Sequence, residues 1–198
     1  MSTGSKVDKG FNHYDWIDDT KYPEKLFHQV REWETMKAVD YHPYQSVLDA
    51  GCGTGLITRH LHDAIGIDIN AWAIERAKIH APKAKYLVAS IDDLPFDDKS
   101  FDLVICTHTL EHLDTPKKAL DEFMRVLKPN GTLIGAVPSD NILWSFRRFL
   151  THSDISEEPI HVNYSYRMIE KLLIYYTTNI RESCFGMEWQ FVAKKGNS

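Results

Sequence analysis

Three glycines at alternate positions follow an apolar run and an acid in the stretch VLDAGCGTG. Gly51, Gly53 and Gly55 have no Cβ, so the backbone of this loop can approach a ligand closely. A second acid, Asp68, stands near the end of the next apolar run, AIGIDI. A carboxylate at the tip of the second strand of an α/β sheet can accept hydrogen bonds from both hydroxyls of a ribose. The loop and the acid together predict a binding site for a nucleoside.

The glycine loop does not match the common phosphate-binding sequences. A dinucleotide fingerprint, G-x-G-x-x-G, requires a glycine at the position where this sequence has Leu56. No Gly-Lys-Ser/Thr follows the loop, which excludes a P-loop. We therefore expect a nucleoside that carries a ribose without a pyrophosphate, and we disfavour a nicotinamide-dependent dehydrogenase.

The composition is that of an ordinary globular protein of 198 residues, with 43% hydrophobic and 26% charged residues. The formal net charge of −5 disfavours nucleic-acid binding, which needs a basic surface. Cys52, Cys106 and Cys184 form neither a disulfide framework nor a metal-ligand pattern, which is typical of the reducing cytoplasm. We see no signal-peptide pattern and no apolar stretch long enough to cross a bilayer, so we predict a cytoplasmic protein.

Apolar runs and helical patterns alternate from residue 46 onward, which predicts a parallel sheet with helices on both faces. Strands are predicted in SVLDA, AIGIDI, KYLVAS, FDLVICTH and TLIGAVP. Helices are predicted in TGLITRHLH, directly after the first glycines, in AWAIERAKIHA and in TPKKALDEFMRVLK. In the last of these, Thr115 and Pro116 are typical residues for the start of a helix.

The N-terminal part departs from this alternation. Residues 1–10 are predicted to be a disordered tail, and residues 11–198 are predicted to form a single domain. In that domain, residues 11–44 are expected to be a helical cap that contains the helix PEKLFHQVREWETMKAV. Its apolar residues have helical spacing: Leu26, Phe27, Val30, Trp33, Met36 and Val39.

The C-terminal part predicts a helix in YRMIEKLLIYYT and two strands in RESCFG and MEWQFVAKK. Two consecutive strands that are joined by a short turn must be antiparallel. The predicted fold class is therefore α/β: a Rossmann-like, doubly wound, mostly parallel seven-stranded sheet with a C-terminal antiparallel hairpin and helices on both faces.

Four motifs, in order and in spacing, resemble a class I S-adenosylmethionine-dependent methyltransferase of the small-molecule, type 11-like kind. They are VLDAGCGTG, GIDIN, LPFDDKSFDLVICTHTLEHL and RVLKPNGTLIGAVP. The resemblance covers roughly residues 45–138, and the C-terminal hairpin fits the antiparallel last strand of that fold. It implies a methyltransferase whose cofactor is S-adenosyl-L-methionine.

The resemblance also implies which residues bind the cofactor. Asp49 and Gly51 would lie near the amino group of its methionine part, and Gly53 would let the chain pass close to it. Asp68 would hold the ribose hydroxyls, and Ile69 would pack on the adenine.

The adenine side departs from the family pattern. Where the family often has an Asp that accepts from the adenine amino group, this sequence has Ser90, followed by Ile91 and Asp92. Either Ser90 makes this contact or Asp92 replaces it. Tyr14, in FNHYDW, is a further expected cofactor contact, because aromatic side chains suit a sulfonium. His108, after the fourth strand, is expected to contact the cofactor or to pack rather than to act as a base.

Candidate catalytic residues follow the fourth strand in THTLEHL. Glu111 and His112 lie there, beside the expected methyl group, and a neutral His is suited to act as a general base near pH 7. His161 is a second candidate base, in a predicted acceptor lid of residues 139–165. The alternative is that Glu111 and His112 only orient loops. The spacing of His108, Glu111 and His112 is not a recognised ligand pattern, so no metal is predicted.

These features favour a methyltransferase that acts on a hydroxyl or an amine of a small molecule. A sugar or glycan is the favoured acceptor, because histidines and carboxylates cluster where a base is needed. The expected partners are this small-molecule acceptor and no nucleic acid, in a monomer or homodimer. The alternative is a methyltransferase-like subunit that binds the nucleoside without catalysing a reaction.

Overall fold

The computed structural model describes residues 17–18, 22, 24–40, 44–141, 162 and 164–196. In chain order, its helices and strands are α1 (Glu24–Asp40), β1 (Val47–Ala50), β2 (Ala64–Asp68), α2 (Ala71–His80), β3 (Lys85–Val88), β4 (Phe101–Thr107), α3 (Pro116–Val126), β5 (Leu127–Pro138), α4 (Tyr166–Leu172), β6 (Thr177–Ser183) and β7 (Glu188–Lys194). Short 3₁₀ helices lie at Thr58–His60, Leu110–His112 and Cys184–Gly186.

The seven strands form one sheet in the order β3-β2-β1-β4-β5-β7-β6. Strand β1 pairs in parallel with both β2 and β4, so the strand order reverses between β1 and β4. Strand β7 lies between β5 and β6 and is antiparallel to both. The predicted mixed sheet with a C-terminal hairpin is therefore confirmed. In sheets of this kind, ligands bind beyond the carboxyl ends of the strands, at the point of reversal.

Apolar side chains cover both faces of the sheet, because successive residues of a strand point to opposite sides. In β4, Val104 packs in one cluster with Leu120 and Phe123 of α3. Its neighbours Leu103 and Ile105 pack in a second cluster, on the side of α1. This burial on both faces explains the unbroken apolar run of β4.

The prediction of a helix in TGLITRHLH, directly after the first glycines, is wrong. The chain there makes turns and then a single 3₁₀ helix, and Leu61 is again extended. Gly53 and Gly55 have φ values of +52° and +92°, which an α-helix cannot contain. Few residues then remain before β2 begins at Ala64, so the segment is a compact buried connection rather than a helix.

The helix α1 forms where it was predicted, but it does not bury the expected apolar stripe. Phe27 and Val39 are buried, whereas Leu26 and Trp33 are 47% and 59% exposed. The inner side of the helix also carries buried polar residues: His28, Arg31, Glu32 and Thr35. This part of α1 therefore packs against charged groups as well as against apolar ones.

Other element boundaries differ only in detail. Pro116 begins α3 as predicted, but the side chain of Thr115 makes no capping hydrogen bond. The helix α4 ends earlier than expected, because β6 already begins at Thr177. Within the described part of the chain, no helix has the length and apolar character that crossing a membrane requires. The three cysteines are buried and are not joined by disulfides.

Candidate functional site

The candidate site lies where the strand order reverses. The glycine loop follows β1, Asp68 ends β2, and His108 follows β4. Because these strands are parallel neighbours, their carboxyl ends meet at one edge of the sheet. The start of β7 reaches the same edge, since Glu188 pairs with the last residue of β5, Pro138.

The first two glycines of the loop serve different purposes. Gly51 has a φ of +76°, and a Cβ built on it would lie 2.3 Å from Oγ1 of Thr109, so this position is tightly packed. Gly53 has a φ of +52°, and a Cβ there would meet no atom of the described residues within 4 Å. The backbone of Gly53 thus faces open space, as close approach of a ligand requires.

A pair of substitutions separates these purposes. Gly51→Ala is expected to lower the free energy of unfolding by about 2–4 kcal/mol, because it combines a left-handed φ with a collision. Gly53→Ala meets no side chain and is expected to cost about 1 kcal/mol, from its backbone conformation alone. Urea denaturation of both variants measures the difference. Equal losses would contradict the packing assigned to Gly51.

The carboxylate of Asp68 is held by backbone donors. Its Oδ2 accepts from the N–H of Gly53 at 2.9 Å, and its Oδ1 accepts from the N–H of Asn70 at 2.8 Å. Burial raises the pKa of Asp68, and these N–H groups and the charge of His112 oppose the rise. The side chain is half-buried, so its oxygens are fixed at the rim of the open space beside Gly53.

A second carboxylate lies behind the loop. Asp49 is only 2% exposed, and its Oδ2 accepts from Oγ1 of Thr58 at 2.5 Å. Burial raises the pKa of Asp49 to about 6, although the Thr58 hydroxyl opposes the shift. Asp49 therefore changes its charge near physiological pH.

This shift predicts a pH-dependent stability. An acid with a higher pKa in the folded state stabilises the fold fully below its unfolded pKa, and this contribution is lost as pH rises to about 6. Asp49→Asn removes the ionisation and retains an acceptor oxygen for Thr58. We expect it to be more stable than the parent at pH 8, by on the order of 3 kcal/mol, and equal to it below about pH 4.

Urea denaturation at several pH values measures this difference. Asp97→Asn is the matched control, because Asp97 is exposed in the turn before β4. A stability difference between Asp49→Asn and the parent that does not vary with pH would contradict the prediction.

On the expected adenine side, the structure brings Ser90 and Asp92 together. The hydroxyl of Ser90 donates to Oδ1 of Asp92 at 2.5 Å, and Nζ of Lys118 lies 3.5 Å from Oδ2 of Asp92. Ile91 is buried beneath this pair, and Ile69 is half-buried at the end of β2. The two alternatives, Ser90 and Asp92, therefore form one hydrogen-bonded unit, and either remains a predicted contact.

His108 lies between two buried carboxylates. Its backbone has a φ of +53°. Its Nε2 is 2.7 Å from Oε2 of Glu188, and its Nδ1 is 3.5 Å from Oε1 of Glu111. Glu111 and Glu188 are 1% and 0% exposed, and the ring of Phe27 meets the His108 ring edge-on.

The neighbours Glu111 and His112 differ in burial. Both lie in the 3₁₀ helix Leu110–His112, where Glu111 is buried beside His108 and His112 is half-buried. Glu111 therefore belongs to the cluster around His108, whereas His112 keeps part of its surface accessible.

The helix α1 contacts both sides of the site through adjacent residues. Glu32 accepts a hydrogen bond from Arg59, just after the glycine loop, and its Oε1 lies 3.6 Å from Nε2 of His60. Arg31 is buried and interacts electrostatically with Glu188 and with Glu111. The cofactor loop and the His108 cluster are thus joined by one helix.

Three residues of the site were missed by the sequence interpretation: Thr109, Arg31 and Glu188. Only Thr109 had a signal, since it lies inside the motif THTLEHL. Tyr14, His161 and most of the predicted lid, residues 142–161, lie outside the described residues. Among the residues that are described, no group of His, Cys, Asp and Glu side chains is arranged to hold a metal ion.

Comparison with known sequences gives one family. Residues 48–135 match the family described as "Methyltransferase domain". The chain is 33% identical over 143 residues to the demethylmenaquinone methyltransferase of Renibacterium salmoninarum, in a match that covers 69% of this chain and 60% of that protein. The chain thus spans less than two thirds of the length of the curated relatives compared first.

Comparison with solved structures gives the same fold. A methyltransferase of Haloferax volcanii, solved in complex with the Trm112 methyltransferase activator, superposes with a TM-score of 0.70 at 22% identity, over 87% of this chain and 93% of that one. The N-methyltransferase NodS of Bradyrhizobium japonicum, solved with S-adenosyl-L-homocysteine, superposes with a TM-score of 0.69 at 18% identity, over 90% and 92% of the two chains.

Proposed function

We propose that this chain is a class I S-adenosylmethionine-dependent methyltransferase that transfers a methyl group from S-adenosyl-L-methionine to a small molecule, since residues 48–135 match the methyltransferase-domain family and the chain has the fold of the methyltransferases compared above. The observation that carries the proposal is the geometry beside the glycine loop. The backbone of Gly53 faces open space, and the carboxylate of Asp68 is fixed next to it.

The residues at this edge fit the cofactor. Asp68 offers a partly exposed carboxylate for the two ribose hydroxyls, and Ile69 and Ile91 offer apolar surface for the adenine. The hydrogen-bonded pair of Ser90 and Asp92 offers an acceptor for the adenine amino group. We assign Gly51 and Asp49 to the methionine end of the cofactor because VLDAGCGTG resembles the family motif. The sequence has Leu56 where a dinucleotide fingerprint requires a glycine, which fits a nucleoside that carries no pyrophosphate.

The chemistry requires mainly positioning. When bound, the cofactor supplies a methyl group that its sulfonium already activates, so the protein must hold the acceptor in line at near-attack distance. We assign the general base to His112, which is half-buried in the 3₁₀ helix that follows β4. It would take the proton of an acceptor hydroxyl, whereas an amine can release its proton to water. His161 is proposed as an alternative base, and Tyr14 as a further cofactor contact.

We propose a hydroxyl or an amine as the group that is methylated, and a sugar or glycan as the first acceptor class to test. The support is the concentration of histidines and carboxylates in the sequence just after β4, where His108, Glu111 and His112 stand. Polar side chains of this kind suit an acceptor that carries several hydrogen-bonding groups.

Calorimetric titration tests the proposal directly. S-adenosyl-L-homocysteine is expected to bind, and NAD, added in a parallel titration, is not. An acceptor screen with labelled S-adenosyl-L-methionine then begins with nucleotide sugars and glycans and continues with amines. Binding of NAD without binding of S-adenosyl-L-homocysteine would overturn the proposal, and cofactor binding without transfer to any acceptor would favour the non-catalytic interpretation.

A further inference from the structure

Glu188 is a buried acid for which the proposed reaction has not yet required a role. It is 0% exposed at the start of β7. Its Oε2 lies 2.7 Å from Nε2 of His108, and the side chain of Ser183, the residue opposite it on β6, helps to lower its pKa. A carboxylate without water is costly unless opposite charges are near it. Burial raises the pKa of Glu188, but the hydrogen bond and the charge of His108 and the charge of Arg31 outweigh it, so the pKa is lowered.

The imidazole of His108 meets a carboxylate on each side. Nε2 faces Glu188, and Nδ1 lies 3.5 Å from Oε1 of Glu111. A neutral imidazole has a single N–H and can donate to only one of them, whereas an imidazolium has two N–H groups. The two carboxylates therefore favour the doubly protonated ring.

The other groups around His108 complete a balanced cluster. The charged side chain of Arg31 comes from α1 and interacts with both acids, and the thiol of Cys184 lies at the tip of the β6–β7 hairpin. The ring of Phe27 covers one edge of His108. Two positive groups, Arg31 and His108, thus balance the two glutamates in a place shielded from water.

We propose that Glu188 is a positioning residue of the methyl-transfer site, which holds His108 as an imidazolium and neutralises its charge beside the cofactor. His108 follows β4 at the point where the strand order reverses, next to the glycine loop. An uncompensated cation there would repel a sulfonium. The role of Glu188 in the methyl-transfer site rests on the proposed function, whereas the protonation of His108 does not. It also follows that His108 takes no proton from the acceptor, which leaves this step to another residue.

The first test is the protonation of His108 in the protein without ligand. Nitrogen-15 spectra of labelled histidine distinguish an imidazolium from a neutral ring, and His108→Asn, a residue that tolerates a positive φ, identifies the signal. In the parent protein, His108 is expected to remain doubly protonated from about pH 6 to pH 8. In Glu188→Gln, which keeps the size and an acceptor oxygen, the ring is expected to lose one proton within that range, so that it is charged near pH 6 and neutral at pH 8. A neutral His108 in the parent at pH 7, or an imidazolium that persists in Glu188→Gln at pH 8, would overturn the proposal.

The second test compares the two forms of the cofactor. S-adenosyl-L-methionine differs from S-adenosyl-L-homocysteine by one methyl group and the sulfonium charge that comes with it. We compare the ratio of the affinity for S-adenosyl-L-methionine to the affinity for S-adenosyl-L-homocysteine with that of the parent at the same pH, because both proteins share the titration of Asp49. In Glu188→Gln, this ratio is expected to fall roughly 10-fold near pH 6, where His108 is still charged, and to recover toward pH 8.

The matched control is Glu182→Gln, on the neighbouring strand β6, where the side chain is exposed. It is expected to leave the spectra and the affinity ratio unchanged. If Glu188→Gln had the same affinity ratio as the parent at every pH, the role of Glu188 in the methyl-transfer site would be refuted. If the parent protein binds neither compound, the proposed function fails, and the histidine spectra still decide the protonation of His108.

Discussion

Asp68→Ala is expected to weaken the binding of S-adenosyl-L-homocysteine by roughly 10³-fold, since hydrogen bonds to a charged group contribute about 1.5–3 kcal/mol each and a ribose would make two. The variant also removes the acceptors for the N–H groups of Gly53 and Asn70, which loosens the loop beside the ribose. Calorimetric titration of the variant and the parent measures the loss.

Two further variants limit the interpretation of this result. Asp68→Asn keeps the size of the side chain but loses the charge, and it is expected to bind more tightly than Asp68→Ala and less tightly than the parent. Asp97→Ala removes an exposed acid from the turn before β4 and is expected to bind like the parent. If Asp68→Ala bound S-adenosyl-L-homocysteine as tightly as the control, the ribose contact would have to be assigned elsewhere.

His112→Ala is expected to lower kcat by about 10²-fold with a hydroxyl acceptor, which is the usual contribution of a general base. The loss should be smaller with an amine acceptor, because an amine can release its proton to water after the transfer. The affinity for S-adenosyl-L-homocysteine should change little, since the assigned role concerns the acceptor. Initial rates and a parallel binding titration measure both quantities.

The exposed histidine before β2 supplies the control for this variant. His62→Ala changes the same residue type away from the site and is expected to leave kcat unchanged. A loss of cofactor affinity equal to the loss of rate would show that His112 supports binding rather than proton transfer. If each of the three single variants His112→Ala, Glu111→Ala and His161→Ala had the rate of the parent, none of the three residues would be catalytic.

The parts of the fold that were predicted from the sequence have local causes. The apolar run around Val104 is buried only if the strand is covered on both faces. The helix α3 begins at Pro116 and has a clear apolar stripe. The short turn before Glu188 requires an antiparallel hairpin. The prediction of a helix after the glycine loop failed because Ile57 and Leu61, four positions apart, have helical spacing whether or not the backbone is helical.

The site was predictable only where its residues lie in continuous motifs. Gly51, Gly53 and Asp68 follow strands that could be recognised, and the fold brings them to one edge. Glu188 contacts His108 across 80 positions of sequence, because β7 inserts beside β5. A hydrophobic pattern cannot predict a contact between two polar residues that are so far apart in the sequence. Arg31 was not predicted for a related reason. Charged residues on a helix are usually exposed to solvent, whereas the burial of Arg31 depends on acids from two distant segments of the chain.

The double contact of α1 restricts how the length of the chain can vary. Phe27, Arg31 and Glu32 meet the β6–β7 hairpin, the His108 cluster and the segment after the glycine loop. Each residue added to an α-helix turns everything beyond it by about 100°. An insertion or deletion between Phe27 and Glu32 would therefore separate contacts that must form together. Homologous chains that keep this arrangement should gain or lose residues before α1 or between α1 and β1, and not within this stretch.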